Sequence, residues 1–251
     1  MIFLKTFFIY PNERIDDLQI PLENGAFVRI IQNPKYFCFG IDAVLLANFA
    51  HVPKAATVAD LGCGCGVIPL IIAAKTNAKH IVGLEIQAEI AQMAQRSVKL
   101  NNLEEKITIE NVDLREYKNK SIFDVVTCNP PYKEQGGGLK SRNIYHAIAR
   151  HEILCTLNDV IKTAAQLLKP NGRLNMIHRP ERLADIICSM RENKIEPKRL
   201  RFVHPKPSKT ATSLLIEGIK GGAPKVFLEP PLYVYNENGE YSNEIKVIYN
   251  K

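Results

Sequence analysis

The chain has 251 residues, of which 46% are hydrophobic, enough to build one large α/β domain or one domain with a small elaboration. No apolar run approaches the roughly 20 residues that cross a bilayer, and the apolar start Met1-Ile-Phe-Leu lacks both a preceding basic segment and a small-residue cleavage site, which argues against a signal peptide. Thirty-three Lys and Arg against 26 Asp and Glu give a formal net charge of +7, a balance that favours a polyanionic partner.

Residues 18 to 31 alternate around Glu23-Asn-Gly-Ala and read as a β-hairpin. That places an N-terminal hairpin extension over 1–35 and the main domain over 36–251. Tyr36-Phe-Cys-Phe-Gly-Ile-Asp42 leads into an apolar helix over 43–50, whose N-cap Asp42 can supply. Thr57 to Leu61 is an apolar strand, and Gly62-Cys-Gly-Cys-Gly66 turns it into a helix from Val67. Gly62 and Gly64 let backbone approach a ligand, and Gly66 suits a tight helix start. The spacing is neither the dinucleotide fingerprint nor a P-loop. Asp60 would repel a phosphate at this place, but it suits a ligand that carries a cationic amino group.

A second strand over 80–84 ends at Glu85, about twenty residues past the glycines, where an acid accepts hydrogen bonds from ribose hydroxyls. A helix over 87–100, a strand over 106–112 and Asp113 follow, and Asp113 can also cap a helix before Arg115. The strand over 123–128 then runs into Asn129-Pro-Pro-Tyr132. Two prolines continue neither strand nor helix, so the corner is rigid. Its acceptors are the Asn129 side-chain oxygen and the Asn129 and Pro130 carbonyls, with the flat ring of Tyr132 beside them. A planar amino group such as that of adenine needs two fixed acceptors and a stacking surface, and this corner has both. Helix 155–168 stops at Lys169-Pro-Asn-Gly172, before a strand over 173–177 and a helix from Pro180 towards Glu192. Residues 198–204 and 212–220 read as an antiparallel pair at one edge of a mostly parallel sheet with helices on both faces. The order of residues 225–251 is left open.

The six cysteines are scattered, no metal-ligand spacing accompanies Cys63-Gly-Cys65, and no metal is expected. Reduced, buried cysteines point to a cytoplasmic protein. Two basic runs stand out: Lys133, Lys140, Arg142 and Arg150 around a Gly136-Gly-Gly138 hinge, and Lys198, Arg199, Arg201, His204, Lys206 and Lys209. Solvated surface is the plain explanation of each. Set at the carboxyl edge of the sheet, Lys133, Lys140, Arg142, Arg150, Lys206 and Lys209 would instead contact RNA.

The set Asp60-Leu-Gly-Cys-Gly-Cys-Gly66, Glu85, Asp113 and Asn129-Pro-Pro-Tyr132 resembles the class I S-adenosylmethionine-dependent methyltransferases, in their amino-methylating branch. That resemblance implies a Rossmann-like fold with a seven-stranded, mostly parallel sheet closed by an antiparallel C-terminal β-hairpin. It also implies S-adenosylmethionine as cofactor, held by Gly40, Asp42, Asp60, Gly62, Gly64, Gly66, Glu85, Ile86, Asp113, Leu114 and Asn129. Catalysis would fall to Asn129, Pro130, Pro131 and Tyr132. Residues 36–46, 133–138, 149–152, 204–206 and 239–246 are further similar to the bacterial tRNA adenine N6-methyltransferases, which act beside the anticodon of a valine tRNA. The chain departs from them at Ile41 and Ser242, where Thr is usual. Glutamine N5-methylation of release factors and amino-methylation of ribosomal RNA bases use related corners and are the rival activities. A catalytically dead, RNA-binding version of the fold is the rival outside enzymes.

Overall fold

A computed structural model describes residues 8–36, 38–130 and 155–250. Eleven strands lie among them: β1 Arg14–Pro21, β2 Phe27–Gln32, β3 Thr57–Leu61, β4 His80–Glu85, β5 Ile107–Asn111, β6 Phe123–Cys128, β7 Leu168–His178, β8 Ile195–His204, β9 Ser213–Lys220, β10 Phe227–Leu228 and β11 Leu232–Tyr233. The α-helices are α1 Ile41–Phe49, α2 Val67–Lys75, α3 Ala88–Leu100, α4 Leu157–Leu167, α5 Leu183–Glu192 and α6 Asn243–Ile248. The main sheet runs β8-β9-β7-β6-β3-β4-β5, with β10 and β11 as two-residue additions on the outer edge of β8. Strands β3 to β7 are parallel, and β9 is inserted antiparallel between β7 and β8. The expected seven strands are therefore present in the expected arrangement, and the two additions make nine.

Both faces of the sheet are covered. One packs Val58, Ile81, Val125, Ile177 and Leu215 under α1, α2 and α3. The other packs Ala59, Leu61, Val82, Val126 and Met176 under α4 and α5. Strands buried on both sides are what a parallel sheet requires, and they explain why the strand sequences read as apolar runs without alternation. Gly83 in β4 has a packing reason: a Cβ there would lie 2.7 Å from Ile109 Cδ1 and 2.8 Å from Cys63 Sγ.

Two sequence expectations change. Lys169-Pro-Asn-Gly172 does not follow the helix as a separate stop. The chain enters β7 directly at Leu168, and the segment forms the irregular start of that strand, with Asn171 at φ 62° and a register shift opposite Phe123/Val125. Asp42 is not an N-cap either. Gly40 holds that place, and Asp42, in the first turn of α1, accepts a hydrogen bond from Ser213 Oγ at 3.1 Å, tying α1 to β9. The tail contains the helix α6, opened by Ser242, whose hydroxyl accepts from the Ile245 N–H.

The hairpin β1–β2 shares one core with α1, α2 and α3 through Ile20, Val28, Ile30 and Ile31. Its backbone is completed by side chains of α3. Asn101 accepts from the Arg29 N–H at 2.9 Å and donates to the Arg29 carbonyl at 2.6 Å, while Ser97 Oγ accepts from the Ile31 N–H at 3.0 Å. An edge strand is thereby capped without a further strand. Arg96 adds a clamp: two nitrogens donate to Glu13 at 2.5 and 2.6 Å, a third contact reaches the Phe8 carbonyl at 2.9 Å, and the guanidinium lies 4.6 Å from the Tyr10 ring centre. Burial pushes the Glu13 carboxyl up, but Arg96 and the Tyr10 N–H outweigh it and hold the group below the usual carboxylate range. Arg96→Ala would strand Glu13, whose side chain is only 4% exposed, so we expect it to cost about 2–3 kcal/mol and lower Tm by roughly 5–10 °C. Because the folded Glu13 pKa is depressed, the gap between wild type and Arg96→Ala should close as pH falls below about 4, which thermal melts across pH would read.

Candidate active site

The carboxyl ends of β3, β4 and β6 meet around one cavity. Its wall includes Phe39, Gly62, Gly64, Glu85, Ile86, Gln87, Leu114, Asn129 and Pro130, residues far apart in sequence that the parallel sheet delivers to one edge. The glycine turn forms one side. Gly62, Gly64 and Gly66 have φ of 68°, 54° and 85°, and at Gly62 and Gly64 a Cβ would project into open space. Gly66 is the N-cap of α2, and a Cβ there would press on Ala94 at 3.3 Å. The turn is fixed to β4 from both sides: the Cys63 N–H donates to the Leu84 carbonyl at 2.9 Å, and the Gly64 N–H donates to Glu85 Oε2 at 3.0 Å.

Glu85, 6% exposed, is held in place by a second donor, the Gln87 N–H at 2.9 Å from Oε1. Asn111 pins the same corner by donating to the Glu85 and Ile86 carbonyls at 2.8 and 3.0 Å. Burial raises the Glu85 pKa, partly offset by the Gln87 and Gly64 N–H groups.

Asp60 lies one layer beneath the cavity wall and is 1% exposed. Thr127 Oγ1 on the neighbouring β6 donates to Asp60 Oδ1 at 2.7 Å, while Oδ2 has no hydrogen-bond partner among the described residues. Burial pushes its pKa to about 7, with the Thr127 bond opposing and the nearby Glu85 charge adding to the rise. Among the described residues no ion pair holds Asp60 or Glu85; the Thr127 hydroxyl and the Gly64 and Gln87 N–H groups are the compensating donors. A buried acceptor without a partner is costly, and Gln87 Oε1 is a second one at the same site. The site thus presents acceptors to a ligand that brings donors or positive charge.

The structure gathers Gly62, Gly64, Glu85, Ile86, Leu114, Asn129 and Pro130 on one cavity, with Asp60 and Gly66 directly behind it. Gly40 and Asp42 stand at the start of α1, beside the wall residue Phe39, and do not themselves line the cavity. Asp113 is also outside the lining. It forms a salt bridge with Arg115 and accepts from the Arg115 N–H at 2.9 Å, closing a turn and capping no helix. Pro131, Tyr132, Lys133, Lys140, Arg142 and Arg150 lie outside the described residues.

The second basic run divides. Arg199 pairs with Glu217 and Glu229 over the Phe49 ring, Arg201 pairs with Glu244, and Lys198 donates to the Ala223 carbonyl, so these cations serve the fold along β8. Lys206 and Lys209 lie in the loop after β8, at the same sheet edge as the cavity, without a carboxylate partner among the described residues; Lys206 Nζ donates to the Glu237 carbonyl at 3.3 Å. The sequence reading missed Thr127, Gln87, Asn111 and Gly83. Only Gly83 carried a signal, since a lone glycine inside a strand marks a close approach.

Among the described residues, no helix is long and apolar enough to cross a membrane, and no cluster of His, Cys, Asp and Glu is placed to hold a metal.

A protein of Phocaeicola vulgatus named tRNA1(Val) (adenine(37)-N6)-methyltransferase is 28% identical over 177 residues, spanning 70% of this chain and 74% of that protein. One of Haemophilus influenzae with the same name is 27% identical over 222 residues, spanning 85% and 90%. A solved structure from Agrobacterium tumefaciens, described as a predicted O-methyltransferase, has a TM-score of 0.67 at 25% identity and covers 83% of this chain and 95% of its own. Residues 28–190 match the family model described as the methyltransferase small domain; that match spans more than half of the sequence, and the chain belongs to that family.

Proposed function

We propose that this protein is an S-adenosylmethionine-dependent methyltransferase that modifies the exocyclic N6 of an adenine in RNA, the adenine beside the anticodon of a valine tRNA. One observation carries the reading: Asn129 and Pro130, at the end of β6, share a cavity with the glycine turn and Glu85. The named relatives, which align along most of the chain, support the same activity.

The residues fit the cofactor. Gly62 and Gly64 leave room for it against the backbone. Glu85 keeps lone pairs for ribose hydroxyls beyond the two N–H groups it already accepts. Asp60 Oδ2 is an unfilled acceptor facing the demand of a cationic amino group. Leu114 and Ile86 give apolar wall to an adenine ring, and the neighbouring Asp113 meets its amino group once Arg115 yields. Gly40 and Asp42 bound the pocket beside the wall residue Phe39. When bound, S-adenosylmethionine supplies an electrophilic methyl on a positively charged sulfur.

The protein's own part is positioning and electrostatics. The Asn129 oxygen and the Pro130 carbonyl accept the two hydrogens of the target amino group, which turns its nitrogen lone pair towards the methyl. Pro130 and Pro131 have no N–H to compete, and Tyr132 stacks on the base. The base must leave its stack to enter, so an unpaired loop nucleotide is the accessible target. Lys133, Lys140, Arg142, Arg150, Lys206 and Lys209 bind the phosphates around it. The nitrogen attacks with its lone pair while the methyl–sulfur bond breaks, and the cationic amine that results sheds one hydrogen as a proton to water, so no base is needed first. An oxygen acceptor would need a base to take its proton, and an amide such as Asn129 cannot serve as one.

Total RNA and protein extract from cells lacking the enzyme, incubated with the purified enzyme and methyl-labelled cofactor, should carry the label as N6-methyladenosine beside the valine anticodon; label on a ribose, a guanine or a protein glutamine would refute the assignment. Asn129→Ala should lower kcat at least 100-fold while changing cofactor Kd less than about threefold. The raised Asp60 pKa has a defined sign. A cationic ligand prefers the ionised form, so cofactor binding should tighten as pH rises from 6 to 8 with proton release. Asp60→Asn should bind more weakly, with a flat pH profile, both read by calorimetry in buffers of different ionisation enthalpy. Because the folded pKa of about 7 exceeds the ordinary value of 3.8, this group costs folding stability progressively as pH rises between those two values, and the cost levels off above the folded pKa.

A further inference from the structure

The tail after β9 returns to the functional edge of the sheet. β11 runs parallel to β8 with Tyr233 opposite His204, and the Tyr235 N–H donates to the Pro205 carbonyl at 2.9 Å. A turn through Asn236 and Gly239 then pairs Tyr235 with Tyr241. The rings of Tyr235 and Tyr241 are 5.2 Å apart and within 9° of parallel, and Tyr241 stacks in turn on Tyr249 at 6.0 Å and 22°. Tyr241 and Tyr249 pack on the core and anchor the inner end of this ladder. Tyr235 ends it at the surface, 36% exposed.

The surroundings of that ring are built. His204 Nδ1 donates to the Lys209 carbonyl at 2.7 Å, and the Lys209 N–H donates to the Lys206 carbonyl at 3.0 Å, so the loop carrying both lysines is closed on itself. Glu237 braces it from the turn: its carboxylate accepts from the Ser208 N–H and hydroxyl at 3.1 Å each, and its carbonyl accepts from Lys206 Nζ at 3.3 Å. Arg179 is exposed at the same edge and donates to the Thr212 carbonyl at 2.9 Å. An aromatic face that ends an ordered stack, flanked by cations on a braced loop, is the arrangement that receives an unpaired nucleobase and its phosphates.

We propose that Tyr235 is a stacking platform for a second nucleobase of the RNA substrate, apart from the adenine that is methylated. The inference rests on the RNA reading above. β11 lies four strand spacings from β6, about 19 Å in the sheet, so the base on Tyr235 is several nucleotides from the one at Asn129. Stacking holds the loop splayed while the target base enters the cavity, and it tolerates any base identity.

The test uses the full-length enzyme and the anticodon stem-loop of a valine tRNA. Tyr235→Ala should raise Kd and KM for the stem-loop roughly 5- to 100-fold, with kcat within twofold, cofactor Kd unchanged and Tm close to wild type. Tyr235→Phe should restore binding. The dependence of log Kd on log salt should keep its wild-type slope in Tyr235→Ala and fall by about 1 in Lys206→Ala. Replacing loop nucleotides one at a time by abasic residues should locate one position whose loss adds nothing to Tyr235→Ala. Wild-type binding by Tyr235→Ala, joint loss of cofactor binding and Tm, or full additivity at every position would each overturn the platform. If the wild-type enzyme methylates no adenine in the stem-loop, the activity assignment fails and the platform, which rests on it, falls with it.

Discussion

Two buried carboxylates on neighbouring strands, Asp60 and Glu85, are the constraint around which this site is arranged. Taking carboxylates out of water is expensive, and the usual remedy is a paired Lys or Arg. Here hydrogen bonds do the work: Thr127 holds Asp60, and the Gly64 and Gln87 N–H groups hold Glu85. One Asp60 oxygen is left over. A lysine in this place would neutralise the pair but would also occupy the role of a cationic ligand. The compensation is therefore incomplete in a way that favours a ligand bearing donors and charge.

The same hydrogen bonds make the turn a rigid part of the sheet. Glu85 clamps Gly64, Leu84 clamps Cys63, Asn111 locks the end of β4, and the bare Gly83 lets Cys63 and Ile109 close over the strand. At the end of β6, Pro130 supplies rigidity by another route, since a proline ring fixes its own φ and carries no N–H. The carboxyl ends of β3 and β4, with Glu85 on the wall, thus share one cavity with Asn129 and Pro130 at the end of β6. The hairpin β1–β2 and α3 support this from behind, because α3 follows the Glu85 corner and carries Arg96 and Ser97, which with its C-cap Asn101 hold the hairpin.

Strands and helices whose signal was local were readable from sequence. The doubly buried strands β3, β4 and β6 announced themselves as short apolar runs ended by Asp60, Glu85 and Asn129, and those ends are where the site lies. Elements decided by long-range pairing were not. Lys169-Pro-Asn-Gly172 has every mark of a helix stop, yet pairing of Leu168 and Arg173 with β6 on either side of it draws the segment into the strand as an irregularity. Arg199 and Arg201 look like a basic surface run until Glu217, Glu229 and Glu244 arrive from distant sequence to neutralise them. Asp113 reads equally well as ligand or cap, and in the fold its nearest partner is Arg115, two residues on. The aromatic ladder of Tyr235, Tyr241 and Tyr249 has no periodic signature, because its rings meet through a turn and a short helix.

A crystal structure of the enzyme with S-adenosylhomocysteine, the demethylated cofactor, tests the site most directly. The amino group should be the donor that Asp60 lacks, the ribose hydroxyls should meet Glu85, and the sulfur should face the Asn129–Pro130 corner. Sulfur turned away from that corner, or a ligand that leaves the glycine turn and the two acids unengaged, would contradict the account.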